Sequence, residues 1–209
     1  MKNVPYIKYC FLGFLLILTF PNYALAAYGP YDYTNPEHRK KYLHIVEHYH
    51  FNARLENLNE NHGLGGTIPG HLWYTIRAFP NHHRALNSMA NLWLRYRNKG
   101  TTPYGIKKSI TPEFCFERAI EFAPKDATVR MLYGIYLYKI HKYKAALKHY
   151  RDSIKIDPNS AQSHYNIALL YIKLKQYTLA RKHAKIAYSY GYPLPGLKNE
   201  LVKLGYWKK

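Results

Sequence analysis

YKAALKHYRDSIKIDPNS, Tyr143–Ser160, sets small residues and a stop at regular intervals: Ala146 and Ser153 flank Tyr150, and Asp157-Pro158-Asn159 closes the stretch. Much of the pattern returns 34 residues later as YTLARKHAKIAYSYGYPL, Tyr177–Leu194. Laid without a gap, Ala127–Ser160 falls on Ala161–Leu194. Ala127 meets Ala161, Lys139 meets Lys173, Tyr143 meets Tyr177, Ala146 meets Ala180, and Lys148-His149 meets Lys182-His183. Gly134 meets Ala168 and Ser153 meets Ala187. A fixed period of 34 is the mark of stacked helix–turn–helix units. Small residues recur because two antiparallel helices approach closely only where no bulk intervenes, and large ones fill the holes beside them. Pro158 ends one helix, and Asn159 or Ser160 can open the next.

These units resemble the tetratricopeptide repeat family position by position. In the first of the two, Gly134 and Leu137 stand on the first helix, Ala146, Tyr150 and Ser153 on the second, and Pro158 ends the unit. In the next, the matching residues are Ala168, Tyr171, Ala180 and Ala187. Two departures are visible: Ala184 replaces a usual large aromatic, and Pro193 is displaced by one residue. An earlier, imperfect unit carries Leu86, Met89, Ala90 and Trp93, then Phe116, Ala119 and Pro124, with Thr111-Pro112 as a cap and first helical residue. A basic insertion, RNKGTTPYGIKKSI, separates its halves. After the last unit, Leu197, Leu201 and Leu204 recur at helical spacing and would cover its open face. The resemblance implies an all-α fold: three helix–turn–helix repeats in a right-handed superhelical array (about 83–126, 127–160 and 161–194), a capping helix at 195–205, and a small, mostly helical segment at 27–80 in front.

In that leading segment Asn35 can cap a helix that starts at Pro36, followed by Tyr42, Ile45, Val46 and Tyr49 at helical spacing. HLWYTIRAF, 71–79, fits a short helix or a strand, and Asn81 can cap the helix after it. The stretch LGGTIPGHLWYTIRAFPNHHRAL looks like the lead-in of some exported bacterial repeat proteins.

The 209 residues, 47% hydrophobic, suffice for one domain with a small appendage. Residues 1–26 read as a secretory signal peptide: Lys2 and Lys8 without an acid, a short apolar run from Phe11 to Phe20, then Ala24-Leu25-Ala26. The competing reading is an uncleaved anchor. Residues 27–209 hold no second long apolar run, which excludes a polytopic membrane protein. Export implies a periplasmic or secreted protein and argues against a nucleic-acid partner. It leaves Cys115, between Phe114 and Phe116, as a lone, buried thiol.

Catalytic signals are thin. His44-Ile45-Val46-Glu47-His48 spells H-x-x-E-H, which on a helix can hold zinc through His44 and His48 with Glu47 as base. That alternative, a zinc-dependent hydrolase, lacks a visible third ligand, and Glu47 could equally pair with Lys40, Lys41 or Arg54. His82-His83 reads as packing, and His149 and His183 as outer-face residues. Nothing calls for a cofactor. Binding has more support, because in this repeat class the first helix of each unit lines a concave groove. The resemblance puts Arg84, Asn87, Ser88, Asn91 and Arg95 there from the first unit, and Met131, Leu132, Ile135, Tyr138 and Lys139 from the second. Tyr165, Asn166, Leu169 and Lys173 complete the row, and Asn166 stands where some family members hold a peptide's terminal carboxylate. The expectation is an exported adaptor for a protein or peptide partner, acidic groups included. With 31 Lys and Arg against 12 Asp and Glu, a formal charge of +19, the alternative is a basic coat that adheres to an anionic envelope polymer.

Overall fold

The computed structural model describes residues 29–207, so the signal-peptide reading of residues 1–26 falls outside it. Every regular element among the described residues is helical. Helix α1 runs unbroken through Pro36–His38, a π-helical Arg39–Leu43 and His44–His50, followed by α2, Ala53–Glu56, and α3, Ile68–Ala78. The first repeat pairs α4, His83–Arg97, with α5, Pro112–Phe122. The second pairs α6, Ala127–Lys139, with α7, Tyr143–Ile156, and the third α8, Ala161–Lys173, with α9, Tyr177–Ser189. Helix α10, Gly196–Lys203, covers the end with Leu197 and Leu201 fully buried. No helix among the described residues is long and apolar enough to cross a membrane.

Local chemistry explains the helix starts. Asn35, Asn52, Thr67, Thr111, Asp126 and Ser160 each accept a backbone N–H of the first turn, satisfying donors the helix leaves free. Thr67 and Pro69 settle the ambiguity of 71–79: capped there, Ile68, Leu72, Thr75 and Ile76 form one buried helical face. Asn81 does not cap α4. His82 does, its Nδ1 accepting from the Ala85 N–H, while fully buried Asn81 ties distant segments together. Its amide donates to Asp32 and to Asp126, and its oxygen accepts from the Tyr33 N–H.

The turn inside each regular unit repeats in detail. His141 and Lys175, one period apart, both take positive φ, 63° and 58°. The next residue's N–H closes back onto the helix, Lys142 to Leu137 O and Gln176 to Tyr171 O, the left-handed stop common at helix ends. Ser153 then joins units: its hydroxyl donates to Ala127 O at 2.8 Å and meets the Ser163 hydroxyl of the next unit at 2.9 Å.

Helices α6 and α7 approach closely at Gly134. A Cβ there would lie 2.6 Å from Cε1 of Tyr150, whose ring is buried against α6. One period on, the same two positions are Ala168 and Ala184, both fully buried. The departure at Ala184 therefore comes with a change at its partner position, from none-against-ring to methyl-against-methyl. Gly134→Ala should cost about 1–2 kcal/mol net, since overpacking outweighs the helix-propensity gain. Urea titration checks it, and a variant as stable as its parent contradicts the close approach.

Candidate functional site

The row of groove residues divides into three parts. At its first-repeat end the leading segment lies over α4. Arg84 binds Glu56 with two nitrogens, one at 2.9 Å, and reaches Glu47 at 3.1 Å. Ser88 donates to Glu56 O, and Arg95 donates to Leu58 O at 3.0 Å. Arg84 and Arg95 therefore serve the fold's own leading segment and are not open groove residues. The ion pairs are partly solvated and worth about 1 kcal/mol or less each, whereas fully buried Phe51 and Leu55 contribute about 1.5–3 kcal/mol apiece. This segment is core, not a detachable lid.

Two central positions are also withdrawn. Met131 is buried within the main core. Tyr165 is buried too, its ring stacked on Tyr192 at 4.1 Å and its hydroxyl against Gly196, so the chain leading into α10 covers it. Asn87 is half-buried on α4, and Lys173 is exposed at the end of α8.

Between these covers five of the named residues meet. Ile135, Tyr138, Lys139, Asn166 and Leu169 line a cavity of about 210 Å³ together with Tyr150. Helices α6 and α8 each present one face to it, as their side-by-side stacking requires. Asn91 joins from α4 by accepting from Lys139 Nζ at 3.1 Å. Tyr150 belongs to α7, where the repeat pattern alone makes it a filler between helices. With no side chain at Gly134, its ring reaches the concave side. The walls are otherwise apolar, and no carboxylate lines them. The Asn166 Nδ2 is buried and donates no hydrogen bond among the described residues. Burial raises the Tyr138 hydroxyl pKa, with smaller effects from Tyr143 and Glu200, so the phenol stays protonated as a donor. An apolar side chain can enter, and a carbonyl or carboxylate can accept from Asn166.

The H-x-x-E-H residues do not assemble. His44 and His48 are exposed, whereas Glu47 turns inward to Arg84 and accepts from buried His82 Nε2 at 3.1 Å. Among the described residues no cluster of His, Cys, Asp and Glu is arranged to hold a metal ion. Cys115 is buried, and burial pushes its thiol pKa up to about 12.

His149 and His183 are not outer-face residues either. His149 packs on Tyr133 at 4.3 Å; His183 stacks on Tyr171 and shares a 2.8 Å bond with His164. Burial is the main reason both are pushed down to about 4, with nearby cations adding to it: Lys148 and Arg130 for one, Lys182 and Arg151 for the other. The unfolded chain, with ordinary histidines near pH 6.5, then binds more protons between roughly pH 6.5 and 4, so stability is full above that window and lost as pH falls through it. Thermal melts should show Tm dropping by on the order of 5 °C from about pH 7 to about pH 4.5, less steeply in His149→Phe. A flat Tm across that range contradicts the buried neutral state.

Residues 111–185 match the family model described as anaphase-promoting complex, cyclosome, subunit 3, a tetratricopeptide-like repeat family. The match opens at the cap of α5 and runs into α9. The match spans 75 of the 209 residues, and with the paired, stacked helices it supports a tetratricopeptide-like repeat array over this part of the chain. Repeats of this class are generally scaffolds for protein–protein interaction.

Proposed function

We propose that this chain is an adaptor that holds a peptide segment of a partner protein on the concave face of its second and third repeats, by binding and not by bond-making. One observation carries the reading: Asn166, whose buried amide nitrogen has no acceptor among the described residues, lines a cavity whose other walls are mainly apolar. A side chain of the partner fills the space between Ile135, Tyr138, Tyr150 and Leu169, and its backbone or terminal carboxylate accepts from Asn166. Lys139 and Lys173 on the same side favour a segment with acidic groups. The proposed setting is the cell envelope, periplasmic or secreted. The basic and then apolar character of residues 1–26 and the resemblance of residues 64–86 to exported bacterial repeat proteins support it.

A second reading is adhesion to anionic envelope polymers. It rests on the lysines: among the described residues only Lys142 and Lys148 reach a carboxylate, to Glu113 and Asp152. The two readings separate in one experiment. Pull-downs from envelope extract with the parent and with Asn166→Ala/Leu169→Glu should lose the partner in the variant while tolerating salt. Identical partner lists contradict groove binding. Recovery that collapses with salt yet survives the groove substitutions favours the polyanion reading.

A further inference from the structure

The insertion between α4 and α5 folds back onto the start of α3. Gly105, at φ 86°, presses on the Thr67 cap so closely that a Cβ would lie 2.7 Å from its hydroxyl. The Ile110 N–H closes the following turn onto Lys107 O at 2.9 Å. Between this turn and α3 opens a cavity of about 420 Å³, twice the volume of the concave one. Trp73, Ile106 and Ile110 form apolar walls, and Gly70 and Gly105 leave them free of further bulk.

The charge around it is one-sided. Arg77 and Lys107 line the cavity, and no Asp or Glu does. Both are exposed, and neither makes an ion pair among the described residues. Arg118 stands 5.8 Å from the Trp73 ring centre and donates to Ile76 O at 2.9 Å. Its guanidinium is half-buried and pairs with no carboxylate among the described residues. Burial first, then the like charge of Arg77, work against its charged form, opposed by Cys115. Lys108 adds another exposed cation beside Lys107. An anion placed here relieves this repulsion, and a guanidinium is well matched to a carboxylate.

We infer that this cavity is a binding site for a small amphipathic anion, an aryl or short acyl body against Trp73, Ile106 and Ile110 with its carboxylate between Arg77 and Lys107. The volume lies in the range of small-molecule pockets. Its rim offers charge but neither the sheet edge nor the long apolar groove that extended and helical peptides use. The site is separate from the concave cavity, so the two can fail independently.

The probe is 2-naphthoate, titrated by calorimetry and followed by tryptophan fluorescence, with neutral 2-naphthamide as the matched control. One-to-one saturable binding is expected, weakened about tenfold or more for the amide and for Arg77→Glu/Lys107→Glu. Asn166→Ala should leave it unchanged. Arg77→Gln/Lys107→Gln, which removes charge without reversing it, should give an intermediate loss and serves if the reversal disturbs folding. Absence of saturation, equal affinity for the amide, or parental affinity in the charge variants overturns the assignment.

Discussion

The structure depends on how closely two antiparallel helices can approach, and at α6 and α7 the limit is the Tyr150 ring lying on Gly134. Backbone stands where a side chain would be, so the ring is enclosed by α6 instead of being held away from it. Burying such a ring contributes about 1.5–3 kcal/mol, well beyond any of the surface ion pairs. The same contact brings aromatic surface to the concave side, where Tyr150 stands with Ile135 and Leu169. Packing and the candidate site are thus one arrangement: the spacing that lets the helices nest also shapes the cavity. Helices α8 and α9 reach the same architecture with Ala168 and Ala184, which shows that the pair of positions, not either residue alone, is constrained.

Ends matter as much as repeats. A stacked array leaves an apolar face open at each terminus, and this chain covers both with its own segments. Helix α10 closes the last unit with Leu197 and Leu201. At the other end Phe51, Leu55 and Leu58 extend the core, and Glu47 and Glu56 neutralise Arg84. Asn81 draws the lead-in at Asp32 and Tyr33 to Asp126, the cap of α6, so the leading segment is bonded to the second repeat as well as the first. The result is a trough shorter than three repeats would offer, centred on α6 and α8.

Legibility in the sequence tracks repetition and local chemistry. The period, the small residues, the proline after α7 and the caps at Asn35, Thr111 and Ser160 are local signals, and helices α6 to α9 lie where those signals put them. Thr67 and Pro69 are an equally local signal for α3, masked by the aromatic and β-branched run Trp73–Ile76. The bonding of Arg84 and Arg95 to the leading segment is not legible, because their partners Glu47, Glu56 and Leu58 are about thirty residues away and no period relates them. Asn81 misleads for the same reason: asparagine before a helix is a good cap, and only its distant partners make it a hub. Tyr150 is placed correctly on its helix by the pattern, yet the missing side chain at Gly134 gives its ring two surroundings.

On the proposed reading, the guest lies against α6 and α8 between the two end covers. A photoreactive phenylalanine analogue placed at Leu169, inside the trough, and separately at Lys185, on the exposed side of α9, probes that placement without altering the rest of the fold. Irradiation in envelope extract should yield a discrete adduct from position 169 and none from 185, with the crosslinked peptide mapping to one segment of one partner. Adducts from 185 alone, or equally from both positions, would contradict it.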